Sequence, residues 1–482
     1  MKKLIFLLLG FALFYACQPG KKDQKERIPK VENHLMPAVA IKGQPDITYS
    51  LTERMHHYKV SGVGIAFVDQ GEVAWARGYG YHSFDSVKKV TPNTMFQAAS
   101  ISKPLAALGA LSLVEDSLLM LDRNVNRYLK SWQVPENRFT DSASVTLRRL
   151  MTHTAGLTVH GFPGYQVDET VPSVTDVLSG SGAANTGAVY PDTIPGRLWR
   201  YSGGGYTVMQ LMMEEAAGKN FAQIMRERVL EPLSMDNSTY RQPLPEKYRK
   251  QASIAHNENG DPVEGKWHVY PEQAAAGLWT TPSDLGRYII EVQRSLQGES
   301  DRVISQSMAR EMLTRHLGDQ GLGPALYGEG DSLAFSHGGA NAGYRCQFFA
   351  FAKKGQGVAI MTNSDRGSDL ISELLRSFSR VYGWSVFTTG TKEKLHMTEE
   401  ELVSFAGKYR LNEDLVVSIR PGQGYLSIIP RWDENSIRVY PENPYLFFDL
   451  EKGWELKFDR DSITGEIRGF RLNEDAYFVK LQ

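Results

Sequence analysis

A serine hydroxyl becomes a nucleophile when a base lies within hydrogen-bond reach. On a helix, residues three apart share a face, so Ser-x-x-Lys sets an amine beside a hydroxyl. The pattern occurs at Ser86–Lys89 and at Ser100–Lys103. Ser86 stands among polar residues between Asp85 and Pro92, whereas Ser100 opens an apolar periodic stretch through Ile101, Leu105, Leu108 and Leu111. That periodicity predicts a helix with Ser100 at its N-terminus, where unpaired amides and the positive end of the dipole favour a developing anion. Pro104 is tolerated in such a first turn, where its missing donor matters little. Ser100 is therefore the candidate nucleophile and Lys103 the candidate base. An amine taken out of water can drop by up to about 3 to 5 pKa units, which is how a lysine becomes a base near neutral pH.

Two further segments carry chemistry. Tyr201 lies on the glycine-rich run Trp199-Arg200-Tyr201-Ser202-Gly203-Gly204-Gly205-Tyr206, ahead of a helix with Val208, Leu211 and Met212. Phe335-Ser336-His337-Gly338-Gly339-Ala340 opens a strand whose glycines let a substrate backbone approach closely. Serine with lysine, then tyrosine, then His-Gly-Gly, in that order, resembles the serine β-lactamase and penicillin-binding-protein superfamily, specifically its class C-like branch of D,D-peptidases, D-aminopeptidases and esterases. The resemblance spans about residues 50 to 385 and is reinforced by the framework-like segments Leu150–Leu157 and Ala275–Leu285.

The resemblance implies an α/β (α+β) fold: an antiparallel sheet flanked by helices, plus an all-helical subdomain. It implies that Ser100 is acylated, that Lys103 deprotonates or orients it, and that Tyr201 exchanges the proton with the leaving group. His337 would edge the site, with the backbone N–H groups of Ser100 and Ala340 as the oxyanion hole and with Gly203 and Gly339 lining the substrate. Losing one oxyanion donor would cost on the order of 10²-fold or more in rate. No metal or cofactor is implied. Two departures bear on the substrate. β-Lactamases of this type carry Asn where Gly203 stands, and Lys-Thr-Gly where His337-Gly338-Gly339 stands; Lys353-Lys354-Gly355 reads as a turn between strands. These changes favour esters or D-amino-acid-containing peptides, with a cell-wall D,D-carboxypeptidase or weak β-lactamase, and a non-catalytic binding protein of the same fold, as alternatives.

Several elements must position these groups. Val63–Val68 and Val73–Tyr79, flanking Asp69-Gln70-Gly71-Glu72, predict a β-hairpin. Leu285, Tyr288, Ile289, Val292 and Leu296 predict a scaffold helix capped by Thr281, with Pro282 at its first position and Gly298 beyond its end. The stretch from Val159 to Pro195 reads as a flexible lid or a wall. His153 is expected to be a framework hydrogen-bonder rather than a catalyst, and Cys346 a buried small hydrophobe in a strand. From about Leu395 apolar residues alternate with polar ones between turns such as Pro421–Gly424, which predicts a small antiparallel β-barrel. The hydrolase domain is thus expected over 46–388 and the all-β module over 396–482.

The N-terminus speaks to location. Lys2 and Lys3 precede an apolar run from Leu4 to Phe14 that is too short to span a hydrocarbon core of roughly 30 Å. Tyr15-Ala16-Cys17 then resembles a lipobox, so residues 1–17 are expected to be a lipoprotein signal peptide with Cys17 acylated. Residues 18–45 carry six Lys or Arg against three acids and several prolines, which reads as a flexible linker. The expected setting is the cell envelope, on the outer-membrane side of export because Gln18 is uncharged, with the membrane as partner through the lipid. The substrate would be a small-molecule ester, a peptide or cell-wall material.

The 482 residues are 41% hydrophobic with two cysteines, 54 basic and 55 acidic side chains and a net charge of -1. This composition excludes a disordered chain, a disulfide framework and a sequence-independent electrostatic grip on nucleic acid. His-Glu-x-x-His and Gly-x-Ser-x-Gly are both absent, and the eleven histidines are scattered apart from His56-His57.

Overall fold

The computed structural model describes residues 19–431 and 436–481. The signal-peptide and Cys17 expectations lie outside these residues.

A six-stranded antiparallel sheet divides the main body. From one edge its strands are Glu72–Gly80, Gly62–Asp69, Gly357–Thr362, Tyr344–Phe351, Ala334–Asn341 and Ala325–Tyr327. Because side chains alternate along a strand, both faces are apolar and each is covered. In Gly62–Asp69, Val63, Ile65 and Phe67 join the core on one side, and Val68 the core on the other. Along Tyr344–Phe351, Cys346, Phe348 and Ala350 face the side that Phe349 and Phe351 do not. The larger core holds the helices Ser102–Glu115, Gly203–Ala217 and Pro282–Gln297. The last has the ends read from sequence: Thr281 caps it by accepting from Asp284 N, and Gly298 closes it at φ 77°. The hairpin turns at Gln70 and Gly71, both at positive φ.

The second core corrects the expectation of a flexible linker over 18–45. Pro19–Asn33 is a helix, and Ile28 and Val31, with Leu35 just beyond it, are buried against the Gly367–Tyr382 helix side of the sheet. Polar ties reinforce it: Gln24 donates to Asp69 at 2.8 Å, Tyr79 to Glu32 at 2.8 Å, and Ser377 to the Val31 carbonyl at 2.9 Å. Lys25, Glu26 and Lys30 are exposed on the outer face of this helix, while Ile28 and Val31 share the inner one.

The C-terminal strands close into an eight-stranded antiparallel barrel from Gly407–Arg410 to Ala476–Lys480, sealed by Tyr409 opposite Lys480. Its interior is filled by Tyr409, Phe447, Phe458 and Phe470, with Phe405 packed edge-on against the Phe447 and Phe458 rings. The barrel is tied to the body. Val39–Ile41 pairs in parallel with Gly390–Lys392, and the barrel's Leu450 carbonyl accepts from Val39 N. The Glu451 carboxylate accepts from Arg54 at 3.0 Å, and Arg54 is itself held at 2.7 Å by the buried Glu373.

Candidate active site

Ser100 sits on a single 3-10 turn, Ala99–Ile101, that runs directly into the Ser102–Glu115 helix. Its neighbour Ala99 is held at φ +49°, a left-handed conformation that costs a non-glycine residue on the order of 1 to 3 kcal/mol and tends to mark functional sites. Lys103 follows one turn on and is buried. Its Nζ donates to Ser100 Oγ at 3.1 Å and to the Ala275 carbonyl at 2.8 Å. The amine also lies 4.9 Å from the centre of the Tyr201 ring. Among the described residues no carboxylate pairs with it. Ser86, by contrast, lies in a turn where its hydroxyl accepts from Lys88 N.

Tyr201 arrives on the loop preceding the Gly203–Ala217 helix, which Ser202 caps by accepting from Gly205 N. Two contacts fix the tyrosine. Its carbonyl pairs with His160 Nδ1 at 2.6 Å, and its ring lies 4.2 Å from that of His153. His153 is buried at φ +56°, and its Nδ1 accepts from Ser202 N–H at 3.2 Å. That bond places the ring proton on Nε2. The framework role expected for His153 is thus a specific one, support of the tyrosine loop.

The strand Ala334–Asn341 supplies the opposite wall. Its neighbour Ala325–Tyr327 pairs only as far as Ser336, so the edge from His337 to Ala340 is open. Gly339 is needed where it stands, because a Cβ there would meet the Ala98 carbonyl at 2.3 Å and Cys346 Sγ at 2.5 Å. This close approach seats the strand against the turn carrying Ser100. His337 lies with its ring 6.3 Å from that of Tyr201, and its Nδ1 pairs with the Gly338 carbonyl at 2.6 Å, leaving Nε2 directed away from that bond. Gly203 is placed differently from the sequence reading. It is buried at the helix start, its N–H donates to the His160 carbonyl, and a Cβ would meet Phe162, so it offers no free donor to a substrate. Cys346 is buried as expected, and its thiol is pushed up by burial.

The electrostatics keep both histidines neutral. Burial, then the charge of Lys103, lowers His337 to about 4. Burial, followed by Lys103 and His337, takes His153 well below its ordinary value. Glu272 is a group that the sequence reading missed. It is fully buried, no other described residue gives either carboxylate oxygen a hydrogen bond, and burial pushes it up to about 8. It belongs to the loop that carries Ala275 to Lys103, and an acid beside the run Ala274-Ala275-Ala276 was the available signal. The Val159–Pro195 stretch is a wall: His160 holds Tyr201, Phe162 packs on Gly203, and Asp192 pairs with Arg200.

The geometry defines a class of protein: an antiparallel sheet whose His-Gly-Gly strand edge is brought together with a Ser-x-x-Lys turn and helix and a tyrosine loop. The chain belongs to the Beta-lactamase family, whose model matches residues 50–376. It is 25% identical over 230 residues to a teichoic acid D-alanine hydrolase of Staphylococcus aureus, covering 48% of this chain and 54% of that one. It is 22% identical over 320 residues to protein flp of Staphylococcus aureus strain MW2, covering 63% and 60%. The chain therefore spans little more than half the length of these curated relatives. Among solved structures it is similar to the octameric penicillin-binding protein homologue from Pyrococcus abyssi, at 20% identity and TM-score 0.60, covering 89% of this chain and 98% of that one. A class C beta-lactamase is similar at 20% identity and TM-score 0.54, covering 68% and 94%.

Proposed function

We propose that this protein is a serine hydrolase working through an acyl-serine intermediate, acting on esters, with D-amino-acid esters the first class to test. The observation that carries the reading is the 3.1 Å bond between Lys103 Nζ and Ser100 Oγ. In this mechanism the neutral-amine form of Lys103, its lone pair turned to the hydroxyl, takes the Ser100 proton as Oγ bonds to the substrate carbonyl carbon, and becomes the ammonium. Backbone N–H groups of Ser100 and Ala340 receive the oxyanion. The ester C–O bond breaks, and the leaving alkoxide takes a proton through Tyr201. Water then adds to the acyl-serine by the reverse proton route, releasing acid and restoring the serine. His337, neutral at the strand edge, positions substrate by hydrogen bonding.

Two observations support esters over β-lactams. Gly203 puts no amide side chain at the helix start, and the strand carries His337-Gly338-Gly339 in place of Lys-Thr-Gly. A relative named for hydrolysing D-alanine from teichoic acid points the same way. A cell-envelope setting, with Cys17 lipidated and the membrane as its anchor, is part of the same proposal. The test is a panel of p-nitrophenyl esters, a D-alanyl ester, D-alanyl anilide, a D-Ala-D-Ala peptide and a chromogenic cephalosporin, each given to wild type and Ser100→Ala. Turnover of esters by wild type alone supports the reading. Turnover of the cephalosporin or the dipeptide with inert esters would replace it by the β-lactamase or carboxypeptidase alternative.

A further inference from the structure

The segment from Tyr270 to Leu278 links the Ser100 turn to the open strand. Leu278 grips both flanks of the turn: its carbonyl accepts from Ala98 N at 2.8 Å, and its N–H donates to Ser102 Oγ at 3.0 Å. Ala275 holds Lys103 through its carbonyl. On the strand side the Ala276 carbonyl accepts from Asn341 Nδ2 at 3.2 Å, and Tyr270 Oη accepts from Ala342 N at 3.1 Å, just beyond Ala340. One carbonyl turns the segment. Glu272 O accepts from Ala275 N at 3.0 Å and from Ala276 N at 2.9 Å, and Gln210 braces the same turn by donating to the Pro271 carbonyl and accepting from Ala274 N. The seating of the nucleophile, of its base and of the strand end therefore hangs on the backbone at Glu272.

The side chain there takes no part in the mechanism. It is fully enclosed, and no other described residue gives its carboxylate a hydrogen bond. The ionisable groups around it supply no counter-charge. Tyr165, from the Val159–Pro195 wall, and Tyr270, on the segment itself, are buried phenols that burial pushes up, with the charge of Glu272 a lesser cause in the same direction. Arg345, which also acts on Tyr270, is paired with Asp365 at 2.8 Å. Lys103 is bonded to the Ala275 carbonyl and to Ser100 Oγ rather than to this carboxyl. An enclosed carboxylate without cation or donor costs far more than the neutral acid, so burial pushes Glu272 up to about 8. Gln273, the next residue, is half-exposed, which puts water one position along the chain. The short way for an ionised carboxylate to reach that water is to turn the backbone at Glu272 outward, and this rotation breaks the two bonds its carbonyl makes.

We propose that Glu272 is a positioning residue for the Ser100 reaction: as the uncharged acid it keeps the Tyr270–Leu278 segment closed, and as the carboxylate it opens the segment and unseats Lys103 and the strand end at Asn341–Ala342. The effect on rate rests on the hydrolase reading above; the opening of the segment does not. Two readouts on the full chain test it, each applied to wild type, Glu272→Gln and Glu272→Met. Methionine is similar in size with no amide to house, so it covers the case in which the glutamine is itself poorly accommodated. The first readout is kcat for a p-nitrophenyl ester, corrected for spontaneous hydrolysis. Wild type should lose roughly 10-fold or more between about pH 7 and about pH 9.5, in kcat more than in KM, while both variants, which cannot ionise at this position, hold their rate. The second is backbone amide exchange of the peptide containing Tyr270–Leu278, compared between proteins at each pH so that the intrinsic pH dependence cancels. The three proteins should match near pH 7, and wild type should exchange severalfold faster at about pH 9.5, with peptides of the barrel unchanged. The proposal is overturned if the variants decline with pH as wild type does, which is what a purely structural role predicts, or if the segment exchanges equally in all three proteins at the alkaline end. Faster exchange in wild type together with an inert ester panel would instead remove the hydrolase reading and leave Glu272 as the group that holds the segment closed.

Discussion

The imidazole of His153 lies 4.2 Å from the ring of Tyr201, and its Nδ1 accepts the N–H of Ser202, the next residue along. One buried side chain therefore holds both the ring and the backbone of the tyrosine loop, while making no bond to Ser100 or Lys103. Displacing a catalytic group by about 1 Å can cost on the order of 10²-fold in rate. His153→Ala should accordingly lower kcat for a p-nitrophenyl ester by roughly 10-fold or more and leave KM within about 3-fold. His153→Asn, which can still accept from Ser202 N–H, should recover part of the loss. A fall confined to KM, or no fall, would mean that the stacking does not position Tyr201.

Gly339 offers a steric test. A methyl group there overlaps the Ala98 carbonyl and Cys346 Sγ, and neither neighbour is the free end of a flexible side chain. Gly339→Ala should destabilise the fold by about 1 to 3 kcal/mol, the usual cost of overpacking, and reduce activity beyond that by parting the strand from the turn at Ser100. Denaturant unfolding together with the activity of the still-folded fraction separates the two effects. Gly338→Ala is the comparison, since its Cβ would meet the movable end of Gln347 and should be milder.

The pH dependence of stability should show two opposed windows. His337 is held at about 4 against an ordinary 6.5. Between those values the unfolded chain binds a proton that the folded protein refuses, so stability falls as pH drops from 6.5 toward 4. Glu272, at about 8 against 4.5, acts in the opposite sense. The folded protein keeps a proton that the unfolded chain has lost, and stability falls as pH rises from 4.5 toward 8. Thermal unfolding from about pH 4 to 9 should show His337→Gln softening the acid limb. Glu272→Gln should soften the alkaline limb and raise the midpoint near pH 8, with a gain on the order of a few kcal/mol. Coincident curves for Glu272→Gln and wild type would show that the carboxyl finds a partner in solution.

Arg54 and Glu373 form a buried pair that Glu451 of the barrel extends. Glu373→Ala leaves the guanidinium only the half-exposed Glu451 carboxylate, and losing the buried partner of such a pair costs about 3 to 5 kcal/mol. Glu451→Ala removes only a half-exposed partner and should cost about 1 kcal/mol or less. Measured losses of equal size would mean that the barrel, rather than the helix Gly367–Tyr382, anchors Arg54.

What the sequence disclosed, and what it hid, follows from range. Ser100 and Lys103 are three residues apart, the cap at Thr281 and the stop at Gly298 are local, and the alternation of Val417 with Ile419 and Leu426 with Ile428 is a two-residue signal. All of these could be read from neighbours in the chain. The helix Pro19–Asn33 could not, because its few apolar residues acquire meaning only when Gly367–Tyr382 and the sheet present a surface to them. Gly203 was legible as a glycine but not as a packing position, since Phe162 approaches it from a segment with no periodicity. Glu272 was legible only as an acid near the Ala274–Ala276 run, since nothing in Pro271-Glu272-Gln273 states that its carboxyl is enclosed.

The central claim is that Ser100 is the nucleophile activated by Lys103, and covalent labelling tests it most directly. Wild type, Ser86→Ala, Lys103→Ala and Ser100→Ala are each treated with a serine-directed fluorophosphonate, weighed intact and mapped by peptide mass spectrometry. The account predicts one adduct per chain on the peptide containing Ser100 in wild type and in Ser86→Ala, a much slower adduct in Lys103→Ala, and none in Ser100→Ala. An adduct of undiminished yield in Ser100→Ala, or one mapped in wild type to a residue other than Ser100, would contradict it.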